Sequence, residues 1–292
     1  MKYLFLLLIG MNCCSVRAQL REPFAFELST GYQRENFDWS IAGNILGENP
    51  NIYSELKWMQ TGGLFVGGRT RWTVWNQLTL VAGYQHTLIV GGEVSDADYL
   101  GNNRTENRYS GYFSANKGSL RAYNVHAGYQ IVCSPIFTLM PAVGYIVHQQ
   151  CLYMLDAPKG VQSTYFTNWK GFSVGLSTVL KLSKKMEVND NFAIQQLKFH
   201  GEANWNLVNT FQHPLSFEDW ANGAGVSNEA QLWYHLKPII SLYAGASYYY
   251  QRTGKGIDKL YLTNGTIPTT QFNGAVRQGF TVSGGLRIIW GK

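Results

Sequence analysis

The residues with most scope for chemistry are two aspartates one position apart, in Asp96-Ala97-Asp98-Tyr99, and a histidine ahead of a proline, His213-Pro214. Two carboxylates that close raise each other's pKa, so one can hold a proton while the other accepts one from water. A histidine becomes a proton shuttle when a carboxylate fixes its far nitrogen, and Glu218 and Asp219 follow His213 in the chain, within reach if the loop folds back. Taken alone, the aspartates read more readily as a solvated loop tip, and His213 as a loop histidine fixed by Pro214. Cysteine and metal chemistry are thin. Cys13 and Cys14 sit near the start, Cys133 and Cys151 stand apart, and no C-x-x-C or histidine cluster has metal spacing, so no metal or cofactor is expected.

The elements that carry these residues follow a segment of a different kind. Lys2, the apolar run Tyr3 to Ile9, and Val16-Arg17-Ala18 form a secretory signal peptide over residues 1–18. Residues 19–292 then read as a single domain, because no linker or charge block divides them. Without Lys2 and Arg17 the +6 chain becomes +4, with 22 bases against 18 acids, and no basic run suggests nucleic acid. Charged residues are only 14%, against roughly 25% in soluble domains, so the chain needs much apolar or lipid-facing surface. No stretch is apolar over the roughly 18 to 20 residues a spanning helix requires. Any membrane crossing must therefore be made by strands.

The sequence repeats with period two. From Phe280 to Trp290 the even positions are Phe, Val, Gly, Leu, Ile and Trp, and the odd ones include Thr281, Ser283 and Arg287. The apolar face begins and ends in an aromatic, and ten residues at about 3.3 Å each, tilted near 40°, span roughly 25 Å, the height of a lipid-facing band. Leu78 to Val90 alternates likewise, with only His86 out of place. Between 192 and 207 one side carries Leu197, Phe199, Ala203, Trp205 and Leu207, and the other Lys198, His200, Glu202 and Asn204. The apolar side is expected to face lipid, and the polar side the lumen, where Lys198 and Glu202 could pair. The phase of the second strand points Glu55, Lys57, Arg69 and Arg71 inward as well. Ten strands follow, at about 24–38, 52–73, 78–92, 120–133, 137–150, 169–182, 192–209, 229–236, 240–252 and 276–290. Short turns alternate with long connections at 39–51, 93–119, 151–168, 210–228 and 253–275, and the turn near 183–191 is longer than its side of the barrel should allow. The fold class is all-β, a ten-stranded antiparallel transmembrane β-barrel with long extracellular loops. Its narrow lumen is expected to be filled by side chains such as Arg71, Lys198 and Trp233, which argues against an open pore.

Over most of its length the chain also resembles the omptins, the ten-stranded outer-membrane proteases. The resemblance rests on Ser54-Glu55-Leu56-Lys57-Trp58 with Gly67-Gly68-Arg69-Thr70-Arg71-Trp72, on Pro158-Lys159-Gly160-Val161 before Gly175-Leu176, and on Gly254-Lys255-Gly256 with Phe280-Thr281-Val282-Ser283-Gly284-Gly285-Leu286, in that order. It implies a water-activating site with Asp96 and Asp98 on one wall and a His-Asp dyad on the other. His213 lies near the expected place, but Phe211 stands where the orienting aspartate belongs, and Asn204-Trp205 replaces an Asp-Trp pair. An imidazole without that carboxylate loses its fixed tautomer. The resemblance further implies lipopolysaccharide as a bound lipid on outward strand faces; Tyr145 persists in the matching stretch, the family's charged residues there do not, and Lys170 lies near the other part of that site.

Two functions stay open on this reading. One is a surface barrel in the outer membrane whose exterior loops act in adhesion, with impaired protease chemistry. The other is an endopeptidase in which Asp96, Asp98 and His213 activate water. Partners are expected to be outer-membrane lipid with lipopolysaccharide, and peptide or host-surface ligands.

Overall fold

In hydrocarbon every backbone N–H and C=O must find an internal partner, so strands that cross a membrane must close into a ring. The computed structural model describes residues 24–75 and 77–290; the signal-peptide reading lies outside them. Thirteen strand segments build the chain: β1 Phe24–Ile41, β2 Ser54–Thr73, β3 Leu78–Leu88, β4 Gly91–Gly101, β5 Thr105–Ser114, β6 Gly118–Tyr129, β7 Val132–Cys133, β8 Phe137–Asp156, β9 Val161–Lys181, β10 Met186–Asn204, β11 Phe217–Lys237, β12 Ile240–Leu260 and β13 Thr269–Trp290. β4 continues the line of β3, and β6 that of β5, so the segments make ten staves. β1 pairs antiparallel with both β13 and β2, which closes the ring. Phe24 at the start of β1, Trp290 at the end of β13 and the short turns share one end. At the other end β5 meets β8 only at Ser114, opposite Leu155, so the β4–β5 hairpin is held to the ring through β2 and the seam between β5 and β8 is open above that point.

Inside and outside alternate along each stave, and the polarity of that alternation inverts partway up. On β10 the odd side chains point inward throughout: Glu187, Asn189 and Gln195 are buried in the lower half, and Leu197, Phe199 and Ala203 in the upper half. Phe192 and Ile194 face outward below, followed by Gln196, Lys198 and Glu202 above. β1 changes in the same way, from buried Glu27, Gln33 and Glu35 to buried Phe37 and Trp39. The lower half is thus polar inside and apolar outside, as lipid demands, and the upper half has the layout of a water-soluble sandwich. Asp190 breaks the outward apolar band, and Asn228 Nδ2 donates to its Oδ1 at 3.0 Å.

This inversion corrects several expectations. Leu197, Phe199, Ala203 and Trp205 do not meet lipid; they fill the interior. Lys198 is exposed and stands opposite Lys170, while Glu202 pairs with His200, so the expected inward Lys198–Glu202 pair does not form. Trp233 does point inward and is fully buried. On β2, Gln60 adopts φ 58 and the pairing shifts register beside it, a bulge that reverses which parity faces in. Leu56 and Trp58 are therefore buried, whereas Glu55 and Lys57 form an ion pair with each other on the outer side, and only Arg69 and Arg71 keep the inward direction. Most of the expected long loops 93–119, 151–168, 210–228 and 253–275 are strand, because above the lipid band the hairpins carry on with polar outer faces that resemble loop composition. The turn over 182–185 is short, since β10 begins at Met186.

The lower lumen is filled by ion pairs. Arg287 reaches Glu27 at 2.9 Å and lies over the Trp233 ring at 3.8 Å, and Arg69 reaches Glu229 at 2.9 Å. Higher up, Arg277 holds Glu35 at 2.7 Å, with Tyr249 donating to the same carboxylate. A polar cavity of about 90 Å³ remains among Glu27, Arg69, Glu229 and Tyr243. Cys133 and Cys151 are both free, as their separation along β8 requires.

The polarity change gives a direct test. Phe192→Arg places a charge in the apolar band and should cost roughly 2 to 4 kcal/mol of folding free energy in lipid vesicles, whereas Lys198→Glu, six residues higher, should stay within about 0.5 kcal/mol. Equal penalties in urea-unfolding titrations would overturn the assigned boundary.

Candidate functional site

Asp96 and Asp98 lie on β4 above the lipid band. Asp96 stands between Leu56 of β2 and Gly111 of β5, and Asp98 between Ser54 and Tyr109. Asp96 is buried beside the inward Val94 and Phe113. Burial pushes its carboxyl up to about 7, with the charge of Asp98 adding to the rise. Asp98 is raised chiefly by burial, against the opposing pull of the Ser54 hydroxyl and of Arg108. The pair thus faces inward, with Asp96 buried, rather than forming a solvated tip.

His213 belongs to the loop over 205–216. The loop is tied down by Phe211, which bridges Leu262, and by Gln212 N–H donating to the Tyr261 carbonyl at 2.8 Å. His213 Nδ1 bonds to Asn204 Oδ1 at 2.8 Å, a neutral amide and not a carboxylate. Neither residue proposed as a substitute reaches it. Glu218 points outward to His200, 3.1 Å away, and Asp219 points inward, where Tyr165 Oη donates to its Oδ2 at 2.6 Å. Among the described residues no hydrogen bond or ion pair joins His213 to Asp96 or Asp98. Those aspartates stand on β4, and His213 follows β10, on the opposite side of the ring.

Aromatic rings fill the space between the two walls. Trp58 contacts Tyr165 at 5.6 Å between centroids, Tyr165 contacts Trp39 at 5.5 Å, Trp39 contacts Phe217 at 5.6 Å, and Phe217 contacts Trp205 at 5.6 Å. Gly201 makes this packing feasible, since a Cβ there would lie 2.1 Å from Tyr165 Oη.

A second carboxyl pair, not anticipated from the sequence, sits under these rings. Asp219 and Asp258 are directly opposite on β11 and β12, and both are buried. Burial, then the neighbouring Asp258, raises Asp219 well above the usual carboxylate range; burial lifts Asp258 to about 6, and Thr270 Oγ1 donates to it at 3.0 Å. The two residues lie 39 apart in the chain, and only cross-strand register brings them together. A third cluster, His200 with Glu202 and Glu218, lies on the outer face of β10 and β11.

Ionisation of Asp96 is coupled to folding of the β4–β5 hairpin. Its carboxyl would ionise near 3.9 in the unfolded chain and ionises at about 7 here, so stability is full below about pH 4, falls as the pH rises to about 7, and is level above. The loss should amount to roughly 4 kcal/mol. Hydrogen exchange of β4–β5 amides, corrected for intrinsic rates, should show this decline, and Asp96→Asn should remove the larger part of it, leaving the share of Asp98.

The family model for the Protochlamydia outer membrane protein, Pom, matches residues 27–289. Among solved structures, the outer membrane protease OmpT from Escherichia coli is similar with a TM-score of 0.73 at 14% identity, covering 91% of this chain and 96% of that one. The translocator domain of the autotransporter NalP from Neisseria meningitidis gives 0.40 at 10% identity, covering 91% and 88%, and Ail of Yersinia pestis gives 0.29 at 9%, covering 90% and 98%. The likeness to OmpT shows the shared fold. No curated protein sequence matches.

Proposed function

We propose that this chain, which belongs to the Protochlamydia outer membrane protein family, works as a surface-interaction barrel through the hairpins that rise above its lipid band, with omptin-type protease chemistry impaired. The observation that carries the reading is the bond from His213 to the amide of Asn204, with a run of packed aromatic rings from Trp58 on β2 to Trp205 in the His213 loop. A general base needs both geometry and an open path to the water it activates. Apolar side chains at the water-facing end favour binding: Leu46 and Tyr112 are 74% and 76% exposed, and Leu100 and Ile267 are also open. On this reading the partners are outer-membrane lipid, with lipopolysaccharide on the outward strand faces, and peptide or host-surface ligands at the loops.

The alternative is an active endopeptidase, favoured by one feature, the inward Asp96 with its proton retained to about pH 7. Peptide cleavage by the refolded protein with added lipopolysaccharide separates the two. The expected result is turnover at background level, in the unmodified protein and in Asn204→Asp, because the variant supplies a carboxylate to His213 but leaves the rings in place. Cleavage that falls at least about a hundredfold in Asp96→Ala, Asp98→Ala and His213→Ala would establish the protease. Cells displaying the barrel should adhere to host cells several-fold less when Leu46 and Tyr112 are changed to serine.

A further inference from the structure

His200, Glu202 and Glu218 meet on the outer face of β10 and β11, above the apolar band. Glu202 and Glu218 are directly opposite each other in the strand register. Like charges in that arrangement oppose folding unless a cation joins them. Among the described residues no lysine or arginine forms an ion pair with either glutamate. Lys259 stands opposite Glu218 on β12, yet its ammonium lies over the Trp220 ring, 5.4 Å from the centroid. What lies between the carboxylates is the imidazole of His200, stacked on Trp220 with ring centroids 5.3 Å apart. Its Nε2 is 3.1 Å from Glu218 Oε1, and its Nδ1 is 3.7 Å from Glu202 Oε1.

An imidazole nitrogen that carries no proton is a ligand for a metal ion. Two carboxylates and one imidazole nitrogen form a donor set whose negative charge a dication neutralises. One donor atom from each residue lies within 4.8 Å of the others. Donors on a single tetrahedral ion sit about 3.4 Å apart, so modest side-chain rotation closes the set, and Glu202, half-exposed, is free to make it. Glu218 is already oriented, because Tyr261 Oη donates to its other oxygen at 2.6 Å, the outer hydrogen bond that metal-binding carboxylates use to fix their direction. The geometry points to a divalent-cation site formed by His200, Glu202 and Glu218, of the borderline class that one imidazole and two carboxylates suit, with Zn²⁺ as its representative and a coordination position open to water. Through Tyr261, whose carbonyl holds Gln212, a bound ion would also tie the His213 loop to β10 and β11.

The test is a Zn²⁺ titration by calorimetry on the refolded full barrel after chelator treatment. One saturable ion per chain is expected at micromolar Zn²⁺. Glu202→Gln, Glu218→Gln and His200→Ala should each weaken binding at least about tenfold, and Tyr261→Phe by about tenfold through the lost orienting bond. His86→Ala, on the lipid-facing side of β3, should leave it unchanged. Trp220 fluorescence should be quenched when Co²⁺ replaces Zn²⁺, and not in His200→Ala. Glu202 is half-exposed, so its substitution tests the site without threatening the fold. Absence of saturable binding, or binding that persists in Glu202→Gln, would overturn the site.

Discussion

The constraint on which the rest depends is that a backbone amide in hydrocarbon has no water to bond. It forces the ten staves to close, β1 meeting both β13 and β2, and closure fixes which side chains face in and which face out. Once that parity is set it does not change along a stave except at a bulge, so the chain can vary only the polarity it places on each face. Below, Glu27, Glu35 and Glu187 face in and phenylalanines and leucines face out; above, Phe37, Trp39, Leu197 and Phe199 face in. A membrane protein and a soluble sandwich are thus stacked on the same strands.

The fold class and the staves within lipid were legible in the sequence because lipid imposes a strict code: period two, apolar outside, aromatics at the ends. Phe280 to Trp290 is inward and outward as read, with Val282 exposed and Arg287 buried. The code failed where its premise failed. Reading Leu197 to Trp205 as lipid-facing assumed that an apolar face must meet lipid, although those residues lie above it and meet one another. The error on Glu55 and Lys57 had a different source, a single extra residue at Gln60 that no periodicity count reveals.

The candidate site was legible in part for the same reason. Asp96 and Asp98 are two apart on one strand, so local sequence places them together facing inward. Asp219 with Asp258, and His200 with Glu218, depend on pairing between strands, which spacing in the chain does not encode. His213 was located correctly in its loop, but its partner is decided by how that loop is pinned through Phe211 and Gln212, contacts that lie with Leu262 and Tyr261 far along the chain.

The aromatic layer from Trp58 through Tyr165 and Trp39 to Phe217 has a consequence for permeability. An ion entering from the loop end would have to shed its hydration shell among rings with few polar groups to replace it, and below them it would meet carboxylates and guanidiniums already committed to one another. The lumen is therefore closed by apolar rings above and by paired charges below, with a polar cavity of about 90 Å³ left between side chains.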